Sequence, residues 1–240
     1  AGADVWRLRG TLARRRVGRY TVPVLIRKGK TVAKKALIVW GGWAGHTPKE
    51  CADLFEAKLR ERGYEVEVSN TLDSYTDAVK MSALSLVVPM WTMGQITREQ
   101  EKGLLDAISA GVGIAGWHGG MCDSFRNNTN YQWMTGGQWV AHPGGLTNYE
   151  VHIVNRDHPI TRGIGDFTLE QTEQYYMHVD PSNNVLATTR FSPECVMPVV
   201  WTRGWGKGRV FYASFGHTYK DFAKAEALEI TLRGMDWASR

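Results

Sequence analysis

Three histidines fall just past apolar runs that read as strands. His46 closes Gly41-Gly42-Trp43-Ala44-Gly45-His46 after Ala36–Trp40. His118 centres Gly116-Trp117-His118-Gly119-Gly120 after Val112–Gly116, and His217 ends Phe215-Gly216-His217 after Arg209–Ser214. Histidine serves as general acid or base, as metal ligand and, rarely, as nucleophile. Gly-x-His-x-Gly between a strand and a helix has the form of a nucleophile elbow. There, small neighbours permit a tight turn, and the middle side chain stands above the sheet near the first N–H groups of the next helix. Ser or Cys usually occupies that middle position; His118 turns the chemistry towards proton transfer or metal binding. The plain alternative is a structural histidine in a strand–helix turn.

Other residues are candidates for the same pocket. Glu173 opens EQYYMH and would pair with a histidine as acid/base partner, or else end a surface strand. His178 lies five residues on, an odd offset that faces it away from Glu173 on a regular strand, so a bulge or loop must bring the two together. Tyr175 and Tyr176 would stack on a sugar ring or pack. His142, in AHPGG, would line the pocket or support a residue that does; His152 and His158 are weaker candidates. Asp123 and Arg126 follow the elbow on the next helix; Asp123 is five residues past His118, about 140° around that helix, which leaves direct contact open. Trp43, Trp91, Trp117 and Trp139 flank the predicted pocket, where indole faces suit the apolar face of a sugar ring but serve equally as core. His46, His118 and His217, with Glu173 or His178, would form a three- or four-ligand site for Zn²⁺ or a similar divalent ion. No single stretch carries a metal-binding spacing, so that site depends on convergence in space.

The elements that must position these residues are legible from Lys34 onward. Ala36–Trp40 reads as a buried parallel strand. Pro48 opens a helix with Thr47 as candidate N-cap and with Cys51, Leu54, Phe55 and Leu59 on one face, stopped by Gly63. Strands are expected at Tyr64–Ser69, Leu84–Pro89 and Val112–Gly116, with a helix over Thr97–Ala110 ended by Gly111. This alternation implies βαβ units and a parallel sheet covered on both faces. Later strands are expected at Tyr149–Asn155, Phe167–Leu169, Tyr175–His178, Val185–Thr189, Pro198–Thr202 and Arg209–Ser214, and a closing helix over Glu226–Trp237. One domain with a mixed or extended sheet is the economical reading. In open parallel sheets ligands bind beyond the carboxyl ends of strands, which is where the three histidines fall.

The strings WGGWAGHTPKE (40–50), VVPMWTMGQIT (87–97), GIAGWHGGMCDSFR (113–126), GGQWVAHPGG (136–145), EQYYMHVDP (173–181) and GKGRVFYASFGH (206–217) resemble the ThuA-like family, named for trehalose utilisation. The resemblance covers residues 34–240 and implies an α/β fold: a three-layer αβα sandwich with a mostly parallel central sheet, class I glutamine amidotransferase-like or flavodoxin-like. In amidotransferases the elbow holds the nucleophilic Cys; here that position is His118, while His217 is similar in place to their catalytic His. The Cys–His–Glu triad is therefore broken, which argues against glutamine hydrolysis. Cys122, one helical turn beyond the elbow, does not restore it. The resemblance implies an enzyme acting on a sugar or oxidised sugar such as a keto-glycoside, with His118, His217 and Glu173 as catalytic groups. No pair of carboxylates suggests ordinary glycoside hydrolysis; a hydrolase, lyase or isomerase working beside an oxidised carbon suits histidine bases. A metal-dependent enzyme using the same histidines, and a non-enzymatic sugar-binding module on a degenerate amidotransferase fold, are the competing readings.

Bulk properties narrow the setting. The 240 residues are 43% apolar and 22% charged, ordinary for a globular protein. The formal net charge of +5 is unevenly placed: residues 1–33 hold nine of the 29 Lys/Arg and one of the 24 acids, leaving 20 basic and 23 acidic residues beyond. The body is thus mildly acidic, so nucleic acid is not an expected partner. The first 33 residues read as a loosely ordered or non-native basic extension, with a possible edge strand over Tyr20–Ile26. No run suits a membrane span or a secretory signal. The separated Cys51, Cys122 and Cys195 read as reduced thiols of a cytoplasmic protein. Gly41–Gly45 lacks the GxGxxG of a dinucleotide site. The expected partner is a small-molecule carbohydrate, with a homo-oligomer as the default for a metabolic enzyme.

Overall fold

A computed structural model of the chain describes residues 33–240. The basic extension and the edge strand expected over Tyr20–Ile26 lie outside the described residues. Five strands form the parallel half of a nine-stranded sheet: β1 (Lys34–Gly42), β2 (Tyr64–Ser69), β3 (Leu86–Thr92), β4 (Gly113–Trp117) and β11 (Gly208–Ala213), in the order β2-β1-β3-β4-β11. The sheet continues antiparallel through β10 (Cys195–Trp205), β9 (Asn184–Ser192), β6 (Leu146–Ile153) and β7 (Phe167–Glu173). A separate two-stranded ladder joins β5 (Gly137–Ala141) to β8 (Tyr176–Val179).

Helices cover both faces, which gives the three layers. On one face α1 (Pro48–Glu61) and α6 (Ala225–Ala238) bury Phe55, Leu59, Ile230 and Met235 against Ile38, Val88, Ala115 and Phe211. On the other lie α2 (Ala78–Ala83), α3 (Arg98–Ser109), α4 (His118–Cys122) and α5 (Thr129–Thr135), which place Met81, Leu104, Ile108, Met121 and Met134 against Leu37, Val87, Ile114 and Tyr212. The central strands carry near-continuous apolar runs because both faces are covered. Each fully buried Leu or Phe contributes roughly 1.5–3 kcal/mol of transfer free energy.

Helix ends follow the sequence with one exception. Thr97 and Gln100 form a reciprocal capping box on α3, and Gly63 and Gly111, both left-handed, follow α1 and α3. Thr47 precedes α1 but does not cap it: it is itself left-handed, and its hydroxyl accepts from the Tyr219 N–H and lies 3.8 Å from Cys51 Sγ.

Two local features open the sheet where the histidines gather. Pro89, which cannot donate to a ladder, stands where β3 has already lost its pairing with β4, since that ladder stops at Val87–Ile114. The backbone of α4 lies close by: a Cβ on Gly120 would meet Met90 Cα at 3.1 Å. Among the described residues no helix is long and apolar enough to cross a membrane.

Candidate active site

Each histidine reaches the site from the carboxyl end of a parallel strand. β1 runs into a short 3-10 turn, Ala44–His46, which delivers His46. β4 ends at Trp117, and His118 turns the chain into α4 with φ 47°. A side chain in this left-handed region carries a backbone cost, which the elbow sustains by holding His118 on several sides. Tyr212 donates its hydroxyl to the His118 carbonyl at 3.1 Å, and the Tyr175 ring stacks on the imidazole at 3.8 Å. His217 follows β11 and donates its backbone N–H to Asp221 Oδ2 at 2.8 Å.

Glu173, the last residue of β7, brings the carboxylate from the antiparallel half. Its Oε2 lies 3.1 Å from His118 Nε2, 3.4 Å from His217 Nδ1 and 3.8 Å from His46 Nε2. Its other oxygen lies 3.6 Å from His142 Nε2. One acid ties two of these segments together: Asp221 Oδ2 also accepts from Thr172 Oγ1 at 2.6 Å, next to Glu173. Burial pushes the Asp221 carboxyl up, against the pull of these hydrogen bonds.

The protonation states follow from the partners. His118 Nδ1 is 2.8 Å from the Ser214 carbonyl, which only accepts, so Nδ1 donates. His46 Nδ1 lies 2.9 Å from Thr92 Oγ1, a hydroxyl able to donate or accept. Burial pushes the His118 imidazolium down to about 3, despite the nearby Glu173, so the ring is neutral at pH 7. Burial opposes ionisation of Glu173, but hydrogen bonds to His118, His217 and His46 outweigh it and hold its carboxyl far below the usual range. With its Nδ1 proton given to Ser214, His118 meets the Glu173 carboxylate through Nε2, and a proton or a metal cation between those two atoms satisfies both.

A divalent cation would fit that contact as a proton does. Zinc–ligand bonds of ~2.0–2.1 Å in a tetrahedron put ligand atoms roughly 3.3 Å apart. The three histidine-to-carboxylate separations bracket this, and the ligand atoms of His46, His118, Glu173 and His217 all lie within 4.8 Å of one another. The contacts of His118 Nδ1 with Ser214 and of His46 Nδ1 with Thr92 are of the kind that would orient imidazoles around a metal.

Above the cluster lies a cavity of about 220 Å³. Trp43, His46, His142, Glu173 and Tyr175 line it, as do Trp139 and Met93. Trp43 is 46% exposed and meets His46 edge-on, at 4.7 Å between centroids. Three residues expected to contact substrate sit elsewhere. Trp117 belongs to the core behind the cluster, packed on Phe55 at 4.3 Å and on Phe222 at 5.3 Å, because β4 is covered on both faces. Trp91 fills the space over two glycines, where a Cβ on Gly41 or Gly94 would meet its ring at 2.5 or 2.4 Å. His178 is on the exposed side of β8, since alternation there turns Met177 inward and His178 out.

Asp123 and Arg126 also line the cavity. Neither is a hydrogen-bond partner of the His118 ring, which meets Ser214 and Glu173. Arg126 instead pairs with Asp123 and lies over Trp139, 4.5 Å from the ring centroid. Both residues lie in the turn beyond α4, which ends at Cys122, not on the helix itself, and the indole comes from a separate strand.

Residues 35–238 match the model of the ThuA family, described as trehalose utilisation. The fold is shared with a ThuA-like protein of Bacteroides uniformis, at TM-score 0.74 and 16% identity over 88% of this chain and 93% of that one. A ThuA-like protein of Parabacteroides merdae aligns at TM-score 0.68 and 17% identity, over 86% of this chain and 89% of that one. A cytoplasmic protein of Salmonella typhimurium LT2 aligns at TM-score 0.62 and 12% identity, over 86% and 100%. At these identities the likeness is one of fold. No curated protein sequence matches the chain.

Proposed function

The chain belongs to the ThuA family, and from that membership and the site geometry we propose an enzyme acting on a sugar or oxidised sugar, with a divalent ion of the zinc type held by His46, His118, His217 and Glu173. The family's description associates the chain with carbohydrate metabolism. The observation that carries the metal is the convergence on Glu173: the His118 Nε2 and the carboxylate oxygen lie 3.1 Å apart, both buried, with two further imidazole nitrogens directed at the same oxygen.

When bound, such an ion supplies Lewis-acid polarisation of a substrate oxygen or acidification of a bound water. The chain's own residues do the rest. Ser214 and Thr92 fix the rings of His118 and His46, and Asp221 holds His217 and Thr172 in register. Trp43 and Tyr175 give the substrate aromatic walls and exclude water. His142, 37% exposed at the mouth, is within reach of groups entering the cavity. Glutamine hydrolysis is not the activity: the elbow holds His118, and burial pushes the thiol of the nearby Cys122 up, away from the reactive thiolate.

Elemental analysis of protein purified without a histidine tag or chelator, beside His118→Ala, is the direct test. One tightly bound transition metal per chain, lost in the variant, supports the proposal. Metal-free wild-type protein that turns over a keto-sugar would replace the ion with a proton shared between His118 and Glu173. Metal-free protein without such turnover would sink both.

A further inference from the structure

We infer that the cavity above the cluster takes a single unphosphorylated sugar ring, with the Arg126 guanidinium, fixed by Asp123 and Trp139, as the group that selects it. The inference rests on the sugar-acting reading above and narrows its substrate class.

Arg126 is held on one edge and one face. Its Nε donates to Asp123 Oδ1 at 2.6 Å and its Nη2 to Oδ2 at 2.8 Å, while its guanidinium lies over the Trp139 ring. Asp123 is itself anchored, accepting the Met93 N–H on its backbone carbonyl at 2.8 Å. The Arg126 side chain remains 42% exposed against 4% for Asp123, so the hydrogens of Nη1 and the second of Nη2 are available beside the cavity in a fixed orientation. Two further polar atoms of cavity-lining residues, Trp139 Nε1 and His142 Nδ1, are buried without a protein partner. Buried polar groups are rarely left unpaired. The N–H donors of Arg126 and Trp139, with a His142 nitrogen able to donate or accept, suit a ligand rich in hydroxyl and carbonyl oxygens in this small aromatic-walled space.

Charge separates sugars from sugar phosphates. Asp123 cancels Arg126, and among the described residues no lysine and no other arginine lines the cavity. Three imidazoles and one carboxylate around a divalent ion leave one positive charge. That matches the single negative charge a neutral sugar acquires as an alkoxide or enediolate. A phosphate monoester brings about −1.5 to −2 at pH 7, which this pocket does not balance. Size points to one ring, because about 220 Å³ is smaller than the ~300–1,000 Å³ typical of sites for drug-sized ligands.

The test is saturation-transfer NMR on the full chain with one equivalent of Zn²⁺, using D-glucose and D-fructose, each against its 6-phosphate, with metal content measured on the same samples. The expected result is transfer to at least one neutral sugar and at least tenfold weaker binding of its phosphate. Arg126→Ala and Arg126→Lys should each weaken neutral-sugar binding at least tenfold with metal content unchanged, since lysine keeps the charge but not the planar fork. Phosphates binding as well as neutral sugars, no transfer to either sugar, or full binding by both Arg126 variants would overturn the inference. The two proposals fail separately. Arg126-dependent sugar binding by a protein that retains no zinc removes the metal and keeps the subsite; retained zinc without sugar binding does the reverse.

Discussion

His118 and Glu173, fifty-five residues apart in sequence, meet at 3.1 Å inside the protein, imidazole Nε2 against carboxylate Oε2. Each is anchored from its own side of the sheet, His118 by the Ser214 carbonyl and Glu173 by its place at the end of β7. The contact is therefore built into the fold and is the point at which the site is most sensitive to substitution.

Glu173→Gln keeps the shape and removes the charge. Bound metal is expected to fall below one-tenth of an equivalent, and turnover of any sugar substrate at least about a hundredfold, which corresponds to about 2.7 kcal/mol. Elemental analysis and thermal melting check this together. A chelator should lower the wild-type Tm, as loss of a ligand that binds only the native state requires, and should leave the variant's Tm unmoved.

Acid should weaken the metal-free protein through the same pair. The folded pKa of His118 lies at about 3, below its ordinary 6.5, and that of Glu173 is also depressed. Between the folded and unfolded values the unfolded chain binds more protons, so stability falls as pH drops. One such group gives a slope of up to about 1.4 kcal/mol per pH unit, or roughly 3–5 °C in Tm for a domain of this size. Melting curves from pH 6.5 down to 4 measure it, and His118→Ala should flatten the dependence. An equally steep slope in the variant would assign it to other groups.

Gly119→Ala should damage the site rather than the fold. A Cβ there would stand 2.5 Å from the His46 ring and 3.0 Å from the Tyr175 hydroxyl. His46 would be pushed off Thr92, and metal affinity should drop at least tenfold. Overpacking of this kind costs about 1–3 kcal/mol, so soluble protein with a modestly lowered Tm is expected.

Gly103→Ala tests the packing of α3. In an exposed helix interior this change gains about 1 kcal/mol. Here a Cβ would fall 2.0 Å from the Tyr75 carbonyl oxygen, so the gain is reversed and the Tm should fall by several degrees in calorimetry. A rise in Tm would show that the 3-10 turn at Leu72–Tyr75 gives way easily.

Thiol titration separates this site from a cysteine enzyme. Burial pushes the Cys51 thiol up to about 12 and raises Cys122 as well. Of the three cysteines only Cys195, partly exposed, should react promptly with a disulfide reagent in the native protein. All three should react once the chain is unfolded.

Much of the fold was legible because its strands and helices advertise themselves locally. The runs at Ala36–Trp40, Leu84–Pro89 and Val112–Gly116, and the amphipathic stretches after Pro48 and Thr97, lie where β1, β3, β4, α1 and α3 form. β5 was not legible: its Gly-led stretch becomes a strand only by pairing with β8, about forty residues on. α5 is short and made of weak helix formers, held by the Asn128 cap and ended by the left-handed Gly136. The three histidines could be placed because strand ends converge in a parallel sheet. The misplacement of Trp117 has the converse cause: on a strand buried on both faces, alternation carries no sign of which side faces the ligand. Arg126 was missed because its role depends on an indole from another element.

Of the four non-glycine residues in the left-handed region among the described residues, three border the site, Thr47 beside His46, Met93 in the cavity lining and His118 itself, while Gln171 bonds Asn148 farther along β7. At Thr47 and Met93 glycine would relax the backbone at little steric cost, whereas at His118 it would also remove a fully buried ring. A population of this protein selected for heat resistance alone would therefore accumulate changes at the rim of the cluster before it touched the core. Relief of backbone strain and upkeep of the cluster therefore pull in opposite directions at the same few residues beside the site.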